Sequence, residues 1–383
     1  MIKLIVSDLD GTLLNSDHQI TKRTIRAIKQ LQRKGVRLLI NTEMNYFDTQ
    51  QILETYDLQC DIACFGGSCI FDSYGKQLHA SYIPSERIPE MLRSEFPVVR
   101  LIELDQNYGF AEGYNRALEQ VDAEYVVLLN SDVEVTPHWL EPLLDYMDTH
   151  SGTVACQPKL LSWHNKEYFE YAGASGGFID RYGYPFCRGR IFDVVEKDCG
   201  QYDTVTEVMW VTGAALFIRL ADYREVGGLD GHFFAHMEEI DLCWRLRSRG
   251  KKLVCIPQSV VYHVGGATLK KENPRKTFLN FRNNLLMLYK NLPDKELEHV
   301  LFIRGILDRV AALVFYLKKD RANARAVMQA RREFEDIRYS FAASRIENMM
   351  KSTDEIIPER THFSIVMKYY LLGKKHFSQL KLF

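Results

Sequence analysis

The sequence predicts an α/β protein, with a doubly wound and mostly parallel sheet, an extra strand–helix–strand segment at the N-terminus and a helical C-terminal region. Three observations carry this. Short apolar runs alternate with helix-periodic stretches over residues 1–92, and a second alternation runs from Val99 to His263. Beyond His263 the apolar residues recur at helical spacing only. Alternation of this kind implies right-handed crossovers between parallel strands.

In order, Ile2–Val6 reads as a strand, Thr21–Lys34 as an amphipathic helix closed by Gly35, and Val36–Asn41 as a second strand. Tyr46–Tyr56 is a helix, Asp61–Phe65 a strand, and Ser68–Asp72 with Gln77–Tyr82 a hairpin about Gly75. Val99–Leu104 is expected to be a strand, followed by a helix over 111–120 and a strand over Tyr125–Leu129. Leu4–Val6, Leu38–Ile40 and Val99–Ile102 are apolar enough for burial on both faces, which predicts that the N-terminal segment and Val99–Leu104 lie in, or directly against, a common parallel sheet. The other possibility is a separate lobe beside a shortened second sheet.

The richest stretch is Trp210–Thr268. An apolar run (Val211–Ile218) leads to Gly227-Gly228, then Phe233-Phe234 and the acids Glu238, Glu239 and Asp241. Ile240, Cys243 and Trp244 share one helical face, carboxylates crowd the first turn and arginines the last, and Gly250 stops the helix. Helix electrostatics and an i,i+4 pair with Arg245 account for Asp241. They account less well for two adjacent acids after His236-Met237 at a helix mouth. Two strands are expected next, Leu253–Ile256 and Val260–His263.

The chain has 383 residues, room for two or three domains, with 46% hydrophobic and 26% charged residues, ordinary globular values. A net charge of −1 gives no indication of nucleic acid as a partner. Eight cysteines form no CxxC pair and Met1 leads directly into a strand, so reduced thiols in the cytoplasm are the expectation. No apolar run reaches the ~18 residues needed to span a bilayer.

Gly213-Ala214, Gly227-Gly228, Phe233-Phe234, Glu238-Glu239-Ile240-Asp241, Arg245 and His263, in that order, resemble the inverting glycosyltransferases of family 2, which have a GT-A fold, and their rhamnosyltransferase-like branch in particular. Glu239 stands where Asp is commoner, keeping a carboxylate with one more methylene. The resemblance runs from about residue 92 onward. It implies transfer of a sugar from a nucleotide-diphosphate donor to an acceptor hydroxyl in cell-surface polysaccharide assembly, with a glycan or lipid-linked acceptor.

By the same resemblance Glu239 is the catalytic base and Glu238 its runner-up. Donor contacts fall to Asn107, Gly109, Phe110, Asn115, Asn130, Asp132, Gly213 and Ala214. Asn130-Ser131-Asp132 occupies the place of the family's D-x-D motif, which holds Mg²⁺ or Mn²⁺ against the departing diphosphate. Asp132 and His263 are the implied metal ligands. Residue by residue, an Asx turn fits Asn130-Ser131-Asp132 almost as well, and a histidine on an apolar strand is more often a core group.

Asp8-Leu9-Asp10-Gly11-Thr12, straight after the first strand, resembles the opening motif of the haloacid-dehalogenase-like (HAD) phosphatases of the Cof type. That family makes Asp8 a nucleophile, Asp10 a general acid/base and Thr42 a phosphate-binding hydroxyl, with Mg²⁺ offsetting the charge. Here Thr42 is followed by Glu43-Met44 rather than Gly-Arg, and the later lysine and acidic motif have no convincing match. The expected division is therefore a HAD-like segment over 1–92, a GT-A domain lacking its usual first strands over 93–292, and a helical region over 293–383. Loss of those strands, which carry nucleotide-binding loops, bears on activity. The rival functions are a HAD-type phosphatase using Asp8 and Asp10, and an inactive fusion. The basic, aromatic tail (Lys368, Tyr369, Tyr370, Lys374, Lys375, Phe377, Lys381, Phe383) fits either a packed helical end or peripheral association with the inner face of an anionic membrane.

Overall fold

A computed structural model describes residues 3–15, 19–42, 44, 46–65, 68–81, 87–265, 273–353, 357–380 and 382, apart from the side chains of 10, 11 and 48. The chain divides into two units, Met1–Glu103 and Leu104–Phe383.

In the first unit β1 (Leu4–Asp8), α1 (Lys22–Arg33), β2 (Arg37–Thr42), α2 (Tyr46–Thr55) and β3 (Asp61–Cys64) alternate as the periodicity demands. These strands pair in parallel, and β4 (Cys69–Phe71) with β5 (Gln77–Ala80) completes the sheet as the antiparallel hairpin expected about Gly75. Thr21 caps α1 by accepting the Thr24 amide at 3.2 Å. The core is Leu9, Leu14, Ile28, Ile40, Leu53 and Ile62 with their neighbours. Two expectations fail here. β1 is an edge strand whose Leu4 and Val6 are 49% and 56% exposed, so it is not covered on both faces. After α3 (Ile88–Glu95), residues 101–104 form no regular structure, and Val99 is 60% exposed. High β-propensity there finds no ladder to join, and the common sheet is not formed: each sheet is built from strands of its own unit.

The second unit opens with α4 (Gly109–Glu119), β6 (Tyr125–Leu129), β7 (Val133–Val135), α5 (Glu141–Thr149) and β8 (Thr153–Ser162). A small antiparallel sheet follows, β9 (Gly177–Ile179), β10 (Pro185–Cys187), β11 (Arg190–Ile191) and β12 (Val194–Val195). Then come β13 (Thr206–Glu207), β14 (Ala215–Arg219), α6 (Leu220–Glu225), α7 (Glu238–Ser248) and β15 (Lys252–His263). The main sheet has the order β13-β15-β8-β14-β6, with β7 also on β15. β15 is parallel to β8, while β14 is antiparallel to both β8 and β6, so β6, β8 and β15 share one direction. β15 replaces the two strands expected. Pro257 lacks an N–H and the register shifts between Ile256 and Val260, yet the backbone stays extended to His263.

Four helices close the unit: α8 (Pro274–Asn291), α9 (Asp294–Leu317), α10 (Arg321–Ile337) and α11 (Ala342–Lys351). The tail is packed in part: Tyr370, Leu371 and Leu372 are exposed, while Phe377 and Leu380 are buried. Phe377 is buried against Phe178, Phe186 and Tyr202, and its amide donates to Glu196 at 2.8 Å. Lys381 and Phe383 lie outside the described residues.

Candidate active site

The parallel directions of β6, β8 and β15 bring their C-terminal ends to one side, where ligands gather in open α/β sheets. A cavity of about 540 Å³ lies there, lined by Asn130-Ser131-Asp132 after β6, Thr212-Gly213-Ala214 before β14, the mouth of α7 and His263 at the end of β15. Phe110 from the first turn of α4 and Lys276 from that of α8 complete it. Of the residues singled out from sequence, Phe110, Asn130, Asp132, Gly213, Ala214, Glu238, Glu239 and His263 therefore meet in one place.

Backbone bonds fix the floor. The Asn130 amide donates to the Ala214 carbonyl at 3.0 Å, and the Val133 amide closes the turn onto the Asn130 carbonyl at 3.3 Å. A Cβ at Gly213 would sit 3.5 Å from the Phe110 ring and 3.6 Å from the Glu239 Cβ, so the glycine lies in van der Waals contact with both. Asp132 and His263 face each other, Oδ1 to Nε2, at 3.2 Å. On the far side of the imidazole the Glu170 carboxylate lies 3.4 Å from Nδ1, an ion-pair distance without hydrogen-bond alignment. Burial pulls the His263 pKa down, but Glu170 and Asp132 outweigh it and the net shift is upward.

Glu238 and Glu239 open α7, and one carboxylate oxygen of each is buried with no hydrogen-bond partner among the described residues. Burial raises both carboxyl pKa values, and the Glu239 charge raises Glu238 further. Unpaired buried carboxylates are costly, and such atoms gather where a ligand is meant to meet them. The third acid of the motif does something else. Asp241 is fully buried and accepts from Arg245 (2.9 Å), Lys290 (2.8 Å) and Asn291 (2.8 Å), so it anchors the helix.

Sequence reasoning named some of the neighbouring residues but missed their conformation and partners. Phe234, His236 and Met237 have φ of 62°, 71° and 73°, three non-glycine residues in the left-handed region just before α7. Asn283, buried in α8, holds them by donating its amide to the carbonyls of Phe233, Ala235 and His236 at 2.8–2.9 Å. His236 faces the cavity with Nε2 unpartnered among the described residues, and burial, with the Lys276 charge, lowers its pKa to about 4. Nothing local in the sequence marks Glu170, Asn283 or Lys276, because each arrives from a distant element.

Asn107, Gly109 and Asn115 lie outside the cavity. The Asn107 side chain accepts the Gly109 amide at 2.9 Å, and Gly109 (φ 77°) leaves no room for a Cβ beside the Phe234 ring. Asn115 donates to the Leu229 carbonyl at 2.7 Å and accepts from the Leu229 amide and the Tyr223 hydroxyl. All three hold loops.

A divalent cation is what the family resemblance implies here. A carboxylate and an imidazole side by side, both reaching the cavity, are a suitable donor pair. Among the described residues no group of three His, Cys, Asp or Glu is arranged around a metal position. Asp132 and His263 are the side chains that would hold such an ion, and the chemistry it would supply is neutralisation of negative charge on a ligand.

In the first unit Asp8 ends β1 and Thr42 ends the neighbouring parallel β2, where the register sets Asp8 beside Asn41. Asp8 accepts the Leu9 amide at 2.8 Å, and Thr42, 2% exposed, accepts the Met44 amide at 3.1 Å. The Asp10 side chain and Glu43 lie outside the described residues.

Residues 5–103 match the family model of the haloacid dehalogenase-like hydrolases, and residues 84–195 that of glycosyl transferase family 2. The chain joins a HAD-like segment to a family 2 glycosyltransferase-like one. Phosphatase YwpJ of Bacillus subtilis is 35% identical over 91 residues, 24% of this chain and 32% of that protein. N-acetylglucosaminyl-diphospho-decaprenol L-rhamnosyltransferase of Mycobacterium tuberculosis is 26% identical over 190 residues, 46% of this chain and 62% of the relative. The O-antigen biosynthesis protein RfbC of Myxococcus xanthus is 27% identical over 177 residues, 45% of this chain and 14% of its own length. The chain thus spans less than two thirds of each of these relatives. The glycosyltransferase-like segment contributes Asn130-Ser131-Asp132, while Asp8 and Thr42 belong to the HAD-like one.

Proposed function

We propose that the glycosyltransferase-like part catalyses inverting transfer of a sugar from a nucleotide-diphosphate donor to an acceptor hydroxyl in polysaccharide assembly. The observation that carries this is the pairing, within one cavity, of Asp132–His263 with the buried acids Glu238 and Glu239, each of which has one unpartnered carboxyl oxygen among the described residues. The first pair suits a cation, Mg²⁺ or Mn²⁺, which when bound neutralises charge on the departing diphosphate. The second suits removal of a proton from the acceptor.

Burial raises both carboxyls. Glu239 is taken as the base because it stands at the position to which the family resemblance gives that role. Asn130, Phe110 and the Gly213-Ala214 backbone bound the donor. His236, neutral at ordinary pH, offers one ring nitrogen to a bound sugar or diphosphate. The mycobacterial relative carries a lipid-diphosphate-linked sugar in its name, which supports a rhamnosyl donor and a lipid-linked glycan acceptor for this chain as well. β6 is the edge of the main sheet, and the strands that the family places before it are replaced in sequence by the HAD-like segment, so we infer a weakened grip on the nucleotide.

A panel of UDP-, dTDP- and GDP-sugars, tested for binding with and without Mn²⁺, checks the reading. One donor is expected to bind only with the metal, and Asp132→Ala to abolish that binding. No metal-dependent binding of any donor would overturn it.

A further inference from the structure

Helix α9 is built with its polar groups inward. Arg304 and Asp308 are buried, joined at 3.2 Å, and Arg331 of α10 reaches the other Asp308 oxygen at 2.8 Å. Arg304 also donates to the Tyr182 carbonyl at 3.0 Å. The outward face carries Phe302, Ile306, Val310, Leu313 and Leu317, spaced to form one stripe and 48–71% exposed. At 1.5 Å per residue the stripe runs roughly 22 Å. A continuous apolar face of this length marks an interaction surface rather than ordinary surface composition.

The charge around it says what covers it. From Phe302 to Asp336 the sequence has eight Lys or Arg and five Asp or Glu, and of these acids Glu333 pairs with Arg282 at 2.7 Å and Glu335 with Arg338 at 3.3 Å. Asp308 is consumed by the buried network, and Asp320 caps α10 by accepting the Asn323 amide at 3.0 Å. Arg309, Lys318, Lys319, Arg321, Arg325 and Arg332 remain exposed around the stripe. No helix among the described residues is long and apolar enough to cross a membrane.

We propose that the outer face of α9, with these cations, docks on an anionic lipid surface. The stripe enters the boundary between headgroups and acyl chains, and the cations meet lipid phosphates, each adding attraction that salt screens. A second copy of the chain fits less well, because two-fold pairing through this face would set the same cations against one another. The packed C-terminal segment is not required. Nor does the inference depend on the transferase reading.

The test is flotation of the full chain with phosphatidylcholine vesicles, with or without phosphatidylglycerol. Binding is expected on the anionic vesicles only, and it should weaken as salt is raised. Leu313→Asp on the stripe and the pair Arg321→Glu/Arg325→Glu on its rim should each lower affinity about tenfold or more. These side chains are exposed, so thermal unfolding should be unchanged; the milder Leu313→Ser serves if the first variant misfolds. Failure of the unaltered chain to float with anionic vesicles, or equal binding by the variants, overturns the proposal. So does a dimer in sedimentation that Leu313→Asp dissociates, which would assign the face to a second copy.

Discussion

The Nε2 atom of His263 lies 3.2 Å from Oδ1 of Asp132, which joins the end of β15 to the turn after β6 across 131 residues of sequence. Adjacency to two carboxylates raises the imidazole pKa despite burial, and a metal must displace the proton it then carries. Cation affinity is therefore low at acid pH, climbs as pH rises through that raised value, and levels off above it. Titration with Mn²⁺ followed by electron paramagnetic resonance should show this climb. His263→Gln should flatten it, and Asp132→Asn should remove most of the binding. A pH-independent affinity in the unaltered protein would count against the pair.

Glu239→Gln keeps size and hydrogen bonding but removes basicity. It should leave donor binding nearly intact and lower turnover by the ~10²–10⁴ typical of a lost general base. Both quantities are to be measured on one preparation. Because burial raises both carboxyls, turnover in the unaltered chain should decline as pH falls through a range above that of ordinary carboxylates. Unchanged turnover in Glu239→Gln would move the role to Glu238, since Asp241 is bound by three donors.

Asn283 does not itself line the cavity, yet it holds the left-handed stretch that carries His236 to it and leads into α7. Asn283→Leu fills similar volume and leaves those carbonyls without their donor. The expected outcome is a loss of about 1–3 kcal/mol in stability and weaker donor binding. Donor binding unaffected at equal occupancy of the folded state would show that the loop keeps its shape unaided.

Lys290 bridges Asp230 (2.7 Å) and Asp241 (2.8 Å) inside the unit. Asp241→Asn leaves Arg245 and Lys290 short of a buried counter-charge and should cost about 3–5 kcal/mol in denaturant unfolding. Asp230 adds a pH signature. Burial alone would raise its pKa, but Lys290 and His232 hold it at about 2, below the ordinary 3.8. A depressed carboxyl contributes stability above its ordinary value and loses it as pH falls through the folded one. Asp230→Asn should therefore be destabilising at neutral pH and nearly neutral near pH 2, as thermal melts across that range would show.

The HAD-like unit should hydrolyse sugar phosphates very weakly or not at all with Mg²⁺, since the later lysine and acidic motif have no match in the sequence. A phosphomonoesterase assay decides this. Substantial turnover abolished by Asp8→Asn would reverse the assignment.

The sequence by itself determined the local elements. Apolar periodicity sets β1 to β5 with α1 and α2, β6 and α7 to within a few residues, because short-range packing and capping decide them. The order of motifs from Gly213 to His263 likewise named five of the residues that line the cavity, Gly213, Ala214, Glu238, Glu239 and His263. What needed the tertiary structure was everything set by long-range partners. Val99–Leu104 has strand propensity but finds no ladder, and at Pro257 β15 shifts register without ending, because β8 continues alongside. Asn115 reads as a donor contact in one dimension; in three, its polar atoms are taken by Leu229 and Tyr223, whereas the pairing of Asp241 with Arg245 was legible from their spacing. Glu170, Asn283 and Lys276 lack any local signature because burial and partner, not residue type, give them their roles. A side chain's chemistry is written in the sequence, but whether its polar atoms are already occupied is decided by the fold.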